Sequence, residues 1–190
     1  MKKTIYGAIL FLIFGMVATS CKKEKTSFAE ENPLSAYIAN TGFNVVDNII
    51  NVSSSEFGLA FSPNVKGQIN AITVKIPDVN PTLKVTIWDY TTQTVLRTEI
   101  VNVTSSNVTT TKTISPLALE KDKKYMITMN SADWYKEHKA DNSAATYPVT
   151  AGNIKIWEYS WIGGTAQAFP TNIDPTYYAG DLSFVFQQTE

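Results

Sequence analysis

The chain of 190 residues contains one cysteine, Cys21, and one histidine, His138. A lone thiol cannot close a disulfide within the chain, and a Cys-His nucleophile pair or a histidine-rich zinc site lacks the side chains it needs. A Ser-His-Asp triad would have to use His138, which lies in WYKEHKAD among charges typical of a solvated loop, whereas a triad needs a packed, oriented imidazole. Charge of one sign is also scarce. The 16 basic residues are matched by 17 acidic ones with no concentrated basic face, which argues against a nucleic-acid partner. Beyond the first twenty residues there is no long apolar run and no long helical periodicity, so a parallel α/β sheet with crossover helices is excluded. No internal repeat is visible, which sets aside a propeller or solenoid.

The one long apolar run is at the start. Lys2 and Lys3 precede IYGAILFLIFGMVA, residues 5 to 18, a length that fits the core of a signal peptide and is short for a membrane-spanning helix. Ala18-Thr19-Ser20-Cys21 follows, then Lys22-Lys23-Glu24-Lys25. Small residues ahead of a cysteine at this place resemble a bacterial lipobox, which implies cleavage before Cys21 and acylation of its thiol. Lipidation accounts for both the position and the solitude of the cysteine, which in an oxidising compartment would otherwise be an exposed free thiol. The reading is therefore residues 1–20 as a lipoprotein signal peptide, residues 21–42 as a lipidated N-terminus and charged tether, and residues 43–190 as a folded domain. It places the protein in the cell envelope, lipid-anchored at the outer membrane.

From Phe43 onward, short apolar alternations are separated by Asn, Pro, Gly, Asp and Thr, the pattern of strands and turns. In INAITVKIP, Ile72, Val74 and Ile76 share a face; in LKVTIWD, Leu83, Val85 and Ile87 do so, with Trp88 pointing away. Tyr125, Ile127 and Met129 form a third row, and Leu182, Phe184 and Phe186 a fourth. The predicted core comprises Ile72, Val74, Ile76, Val85, Ile87, Ile127, Phe184 and Phe186. The fold expected is all-β: an antiparallel β-sandwich, jelly-roll-like, of 8–9 strands. Residues 131 to 153 form the longest stretch without clear alternation and read as a loop excursion.

GLAF at 58–61, VTIWD at 85–89, KYMITM at 124–129, IWEY at 156–159, AFPT at 168–171 and YYAGDLSFVF at 177–186 together resemble the bacterial domain-of-unknown-function family 4082, over about residues 56 to 187. Trp88, Phe169-Pro170-Thr171, Asp181 and Phe186 are the most specific positions. The resemblance implies a jelly-roll-like sandwich on exported proteins that often accompany carbohydrate-active or adhesive modules. It implies no catalytic residues, and it suggests a structural role for Trp88 beneath a loop.

Functional candidates come from aromatics. IKIWEYSW at 154–161 places Trp157, Tyr159 and Trp161 on one face of an extended strand, with Ile154, Ile156 and Glu158 on the other. Burying the odd face exposes two isoleucines, while burying the even face sequesters a carboxylate without a partner, so the odd face is expected inward. Trp157 and Tyr159 are then core, and Trp161, two residues before Gly163-Gly164, joins the loop aromatics Trp134, Tyr135, Tyr177 and Tyr178 as a ligand surface. A carboxylate pair for glycoside hydrolysis could be drawn from distant strands, though 17 acidic residues make such pairs easy to nominate. Asp78 with Asn80 and Asp141 with Asn142 match turn chemistry better than a calcium loop, so no metal and no cofactor is expected. The expected function is a non-catalytic binding module, with glycans as the ligand. The alternative is a structural or accessory lipoprotein that binds a partner protein in an envelope complex.

Overall fold

The computed structural model describes residues 28–165 and 167–190; Cys21 and the signal segment lie outside the described residues. In chain order the elements are β1 (Glu30–Glu31), α1 (Leu34–Thr41), β2 (Val45–Ile49), β3 (Ser55–Pro63), β4 (Gly67–Val74), β5 (Asn80–Asp89), β6 (Val95–Val103) and β7 (Thr110–Leu119). They continue with β8 (Tyr125–Ser131), β9 (Trp134–His138), β10 (Val149–Ala151), β11 (Ile154–Gly163), β12 (Asn172–Ile173), β13 (Tyr177–Ala179) and β14 (Ser183–Gln188). Eight of these strands have six residues or more. They form the antiparallel sandwich that the alternation predicts.

One sheet has the order β1-β14-β4-β7, the other β10-β11-β3-β8-β5-β6 with β12 against β11, and every pairing is antiparallel. The chain crosses between the two at β3–β4, β4–β5, β6–β7, β7–β8 and β11–β14, so the core is sealed by contacts distant in sequence. Phe61 of β3 meets Phe184 of β14 across the interior at 4.5 Å between ring centres. All eight predicted core residues are buried, and Leu83, Tyr125, Met129 and Leu182 join them. Trp88 is buried on the opposite face of its sheet. Phe169 crosses it edge-on at 5.8 Å, and its indole N–H donates to Thr128 Oγ1 at 3.0 Å, so it does lie beneath a loop.

β11 departs from the expected alternation. Ile156 pairs with Phe61 and Glu158 with Ala60, so Trp157 is an extra residue with no partner on β3. This β-bulge shifts the phase of the strand by one residue. Ile154 and Ile156 point inward before it and Tyr159 after it, all three fully buried. Trp157 lies instead on the outer face, where its indole N–H donates to Ser62 Oγ at 2.9 Å and Lys124 sits over its ring at 4.0 Å. Neither expected face is correct as a whole: the isoleucines expected outside are core, and Trp157, expected inside, packs outside beside Trp88 and Tyr90. Glu158 also points outward and accepts from Tyr90 Oη at 2.9 Å.

The stretch expected as a loop, residues 131 to 153, contains β9 and β10. β9 is the centre of a third sheet, β13-β9-β2. It is joined to the sandwich through Trp134 on Phe57 and Tyr177 on Tyr159, with ring centres 5.0 and 5.1 Å apart. His138 is buried in β9 rather than solvated, with Nε2 on Asp47 at 3.0 Å and Nδ1 on the Lys139 carbonyl at 2.8 Å. Both ring nitrogens are thus occupied and neither faces a serine. The latter part of the expected tether also belongs to the domain: β1 pairs with β14, and α1 buries Tyr37 in the core against Phe43 and Tyr178. α1 ends at Gly42, whose φ of +77° closes the helix with a bond from its N–H to the Ala39 carbonyl.

Candidate functional site

The five aromatics nominated for ligand binding lie on strands, not loops. Trp134, Tyr177 and Trp161 are half-buried, whereas Tyr135 and Tyr178 are buried. Trp134 and Tyr177 stack at 5.9 Å, and their remaining surfaces face Phe57, Tyr159 and the ammonium group of Lys136. Trp161 packs against the same core. Tyr178 is held among Tyr37 and Tyr159 and donates to the Leu182 carbonyl; Tyr135 donates to Asn107 Oδ1. The set joins the third sheet to the sandwich. Its ring faces are largely taken by one another.

Beside this joint lies a cavity of about 540 Å³ under α1. Leu34, Ser35, Ile38 and Ala39 line it from the helix, while Asn32, Thr73 and Thr109 supply amide and hydroxyl groups. Lys75, Glu137 and Asp181 contribute its charge. Three elements far apart in sequence converge to place them. Lys75 follows the last residue of β4. Glu137 faces inward from β9, two residues after Tyr135, as strand periodicity requires. Asp181 is set by the turn between β13 and β14, where Gly180 has φ +105° and Asp181 φ +42°. Glycine suits position 180 because residues with a side chain rarely adopt a φ of +105°.

Asp181 and Glu137 are 6% and 7% exposed, so both carboxyls are largely out of water. Lys75 Nζ reaches Asp181 Oδ2 at 3.1 Å and lies 4.7 Å above the Tyr135 ring. Burial works against the lysine's charge, but Asp181 more than offsets it and holds the ammonium group above its ordinary value. Glu137 lies within hydrogen-bonding contact of Asp181. Burial first, then the neighbouring carboxylate, push it up from 4.5 to about 7.

None of Lys75, Glu137 and Asp181 was nominated from sequence as a site residue, although Asp181 belongs to the motif behind the family resemblance. Lys75 alternates with core residues and so reads as a solvated side chain; Glu137 sits in a stretch without clear periodicity. The described residues contain no group of three or more His, Cys, Asp or Glu side chains placed to hold a metal ion, and no helix among them is long and apolar enough to cross a membrane. No protein-family model matches the chain, and no curated protein matches it.

Proposed function

We propose that this chain is a cell-envelope lipoprotein, tethered to the outer membrane through acylated Cys21, whose sandwich is a non-catalytic binding module for a polyhydroxylated ligand such as a glycan. The observation that carries the reading is the cavity under α1. Its volume is that of a small-molecule site. Apolar helix residues line one side, and carboxylates, hydroxyls and an ammonium group line the other, the combination that grips a sugar ring by its apolar face and its hydroxyls. The lipobox at Ala18–Cys21 supports the location, and the resemblance to family 4082 supports the class of module.

Glycan-array screening of the protein and of Ser35→Trp tests this. Ser35 is exposed on α1 at the cavity wall, so a tryptophan there fills the space without disturbing the core. Glycan binding by the wild type, lost in Ser35→Trp at an unchanged melting temperature, is the expected result. Binding that survives the substitution would place the ligand elsewhere.

A second reading, an accessory lipoprotein that docks a partner protein, is favoured by Val95, Leu96 and Ile100, which lie 41–47% exposed on the edge strand β6. Pull-down from solubilised envelope with Leu96→Lys as the control separates the two.

A further inference from the structure

The charges around the cavity do not balance. Glu137 enters from β9 and Asp181 from the β13–β14 turn, and against these two carboxyls there is one cation, Lys75. α1 supplies only uncharged groups to the wall, and Thr73 and Thr109 supply only hydroxyls. Lys75 is committed to Asp181 at 3.1 Å. Glu137 therefore lines the cavity largely buried, with a second carboxyl as its neighbour. The other groups acting on it are Lys75, which favours its ionised form, and the buried Tyr178, whose own ionisation it opposes. A buried carboxylate in this position is satisfied either by a proton or by a cation that enters from outside. The apolar wall of Leu34, Ile38 and Ala39 gives such a cation a body to pack against the helix.

We propose that the ligand of this cavity is an amino-bearing saccharide, whose single primary ammonium group pairs with Glu137 while the ring lies along Leu34, Ile38 and Ala39. The proposal rests on the reading of the cavity as the ligand site and specifies the ligand. An ammonium group fits better than a metal ion, because a divalent cation would overcompensate one uncovered carboxylate and would face the Lys75 charge. A quaternary or guanidinium group is less suited, since the acceptors present are one carboxylate and scattered hydroxyls rather than an aromatic cage or a bidentate pair.

Entry of the ammonium group displaces the proton from Glu137, which passes to solvent. Affinity for a ligand whose amine stays charged therefore rises with pH through about 7, by about tenfold between pH 6 and pH 8. Calorimetry on the full chain in detergent, with 2-aminoethyl glucoside and methyl glucoside as probes at pH 6 and pH 8, tests this. The expected result is that the aminoethyl probe binds at least tenfold more tightly than the methyl probe at pH 8, with proton release at pH 6. Glu137→Gln should remove both the preference for the aminoethyl probe and the pH dependence. Equal binding of the two probes by the wild type, or an amine preference that persists in Glu137→Gln, overturns the inference and leaves the cavity as a glycan site. Failure of both probes at millimolar concentration overturns the inference together with the reading on which it rests.

Discussion

Replacing Glu137 by glutamine should make the protein more stable at pH 8 and leave it nearly unchanged at pH 5. In the folded protein this carboxyl is pushed from 4.5 to about 7 by burial and by Asp181, so the native state holds its proton more tightly than the unfolded chain does. Stability from this group is then complete below pH 4.5, falls as the pH rises from 4.5 towards 7, and is constant above. A carboxyl moved from 4.5 to about 7 corresponds to about 3 kcal/mol. Because the cavity opens to solvent, about 2 kcal/mol is the expected loss for the wild type between pH 5 and pH 8. Glutamine keeps a donor towards Asp181 and never ionises, so its curve should fall less steeply and cross above that of the wild type. Glu56, buried without a partner for Oε2 and raised by desolvation, adds a slope of the same sign to both proteins. Urea denaturation followed by tryptophan fluorescence at pH 5, 6, 7 and 8 measures the difference. Parallel curves for the two proteins would show that Glu137 titrates as an ordinary surface acid and would remove the basis for the charge argument.

Three other outcomes are expected. Phe184→Ala removes a fully buried ring packed 4.5 Å from Phe61 and should destabilise by about 3–5 kcal/mol in urea denaturation. Tyr159→Ala should cost several times as much as Trp157→Ala: the first empties the core, while the second loses one hydrogen bond to Ser62 and the cation–π contacts of Lys124 and Lys155 on the outer face, about 1–2 kcal/mol together; equal losses would refute the phase shift in β11. Metabolic labelling with a fatty acid should tag the wild type and not Cys21→Ser, and label on the variant would refute anchoring at that residue.

Where alternation runs unbroken, sequence was sufficient to assign the faces of a strand. β5 and β8 each place one row of apolar side chains inward, and the partner rows confirm each other across the sheet: Ile87 lies opposite Ile127, and Val85 opposite Met129. β11 could not be read the same way because a single unpaired residue exchanges the two faces midway, and nothing in IKIWEYSW marks which residue that is. β9 escaped notice because its five residues bury Glu137 and His138 along with Tyr135, so polarity does not alternate with burial. The stretch from Phe28 to Asn32 looks like a tether by composition, yet its polar groups act as fasteners: the Glu31 carboxylate accepts from the Asn153 N–H, and Asn32 bridges Thr73 and Ser183. The cavity was the least legible feature. Lys75, Glu137 and Asp181 come from segments more than forty residues apart, and each is unremarkable until the third sheet brings them together.

The unpaired position in β11 also determines where this strand can change length. Removing Trp157 would set Ile156 directly before Glu158, opposite Phe61 and Ala60, and every other side chain would keep its present side of the sheet. Removing Glu158 instead would set Trp157 opposite Ala60 with the same result, whereas removing any other residue from the interior of β11 would turn part of the strand inside out. A shortened form of this strand therefore loses its residue at the bulge, from the pair Trp157-Glu158 that shares one position on β3.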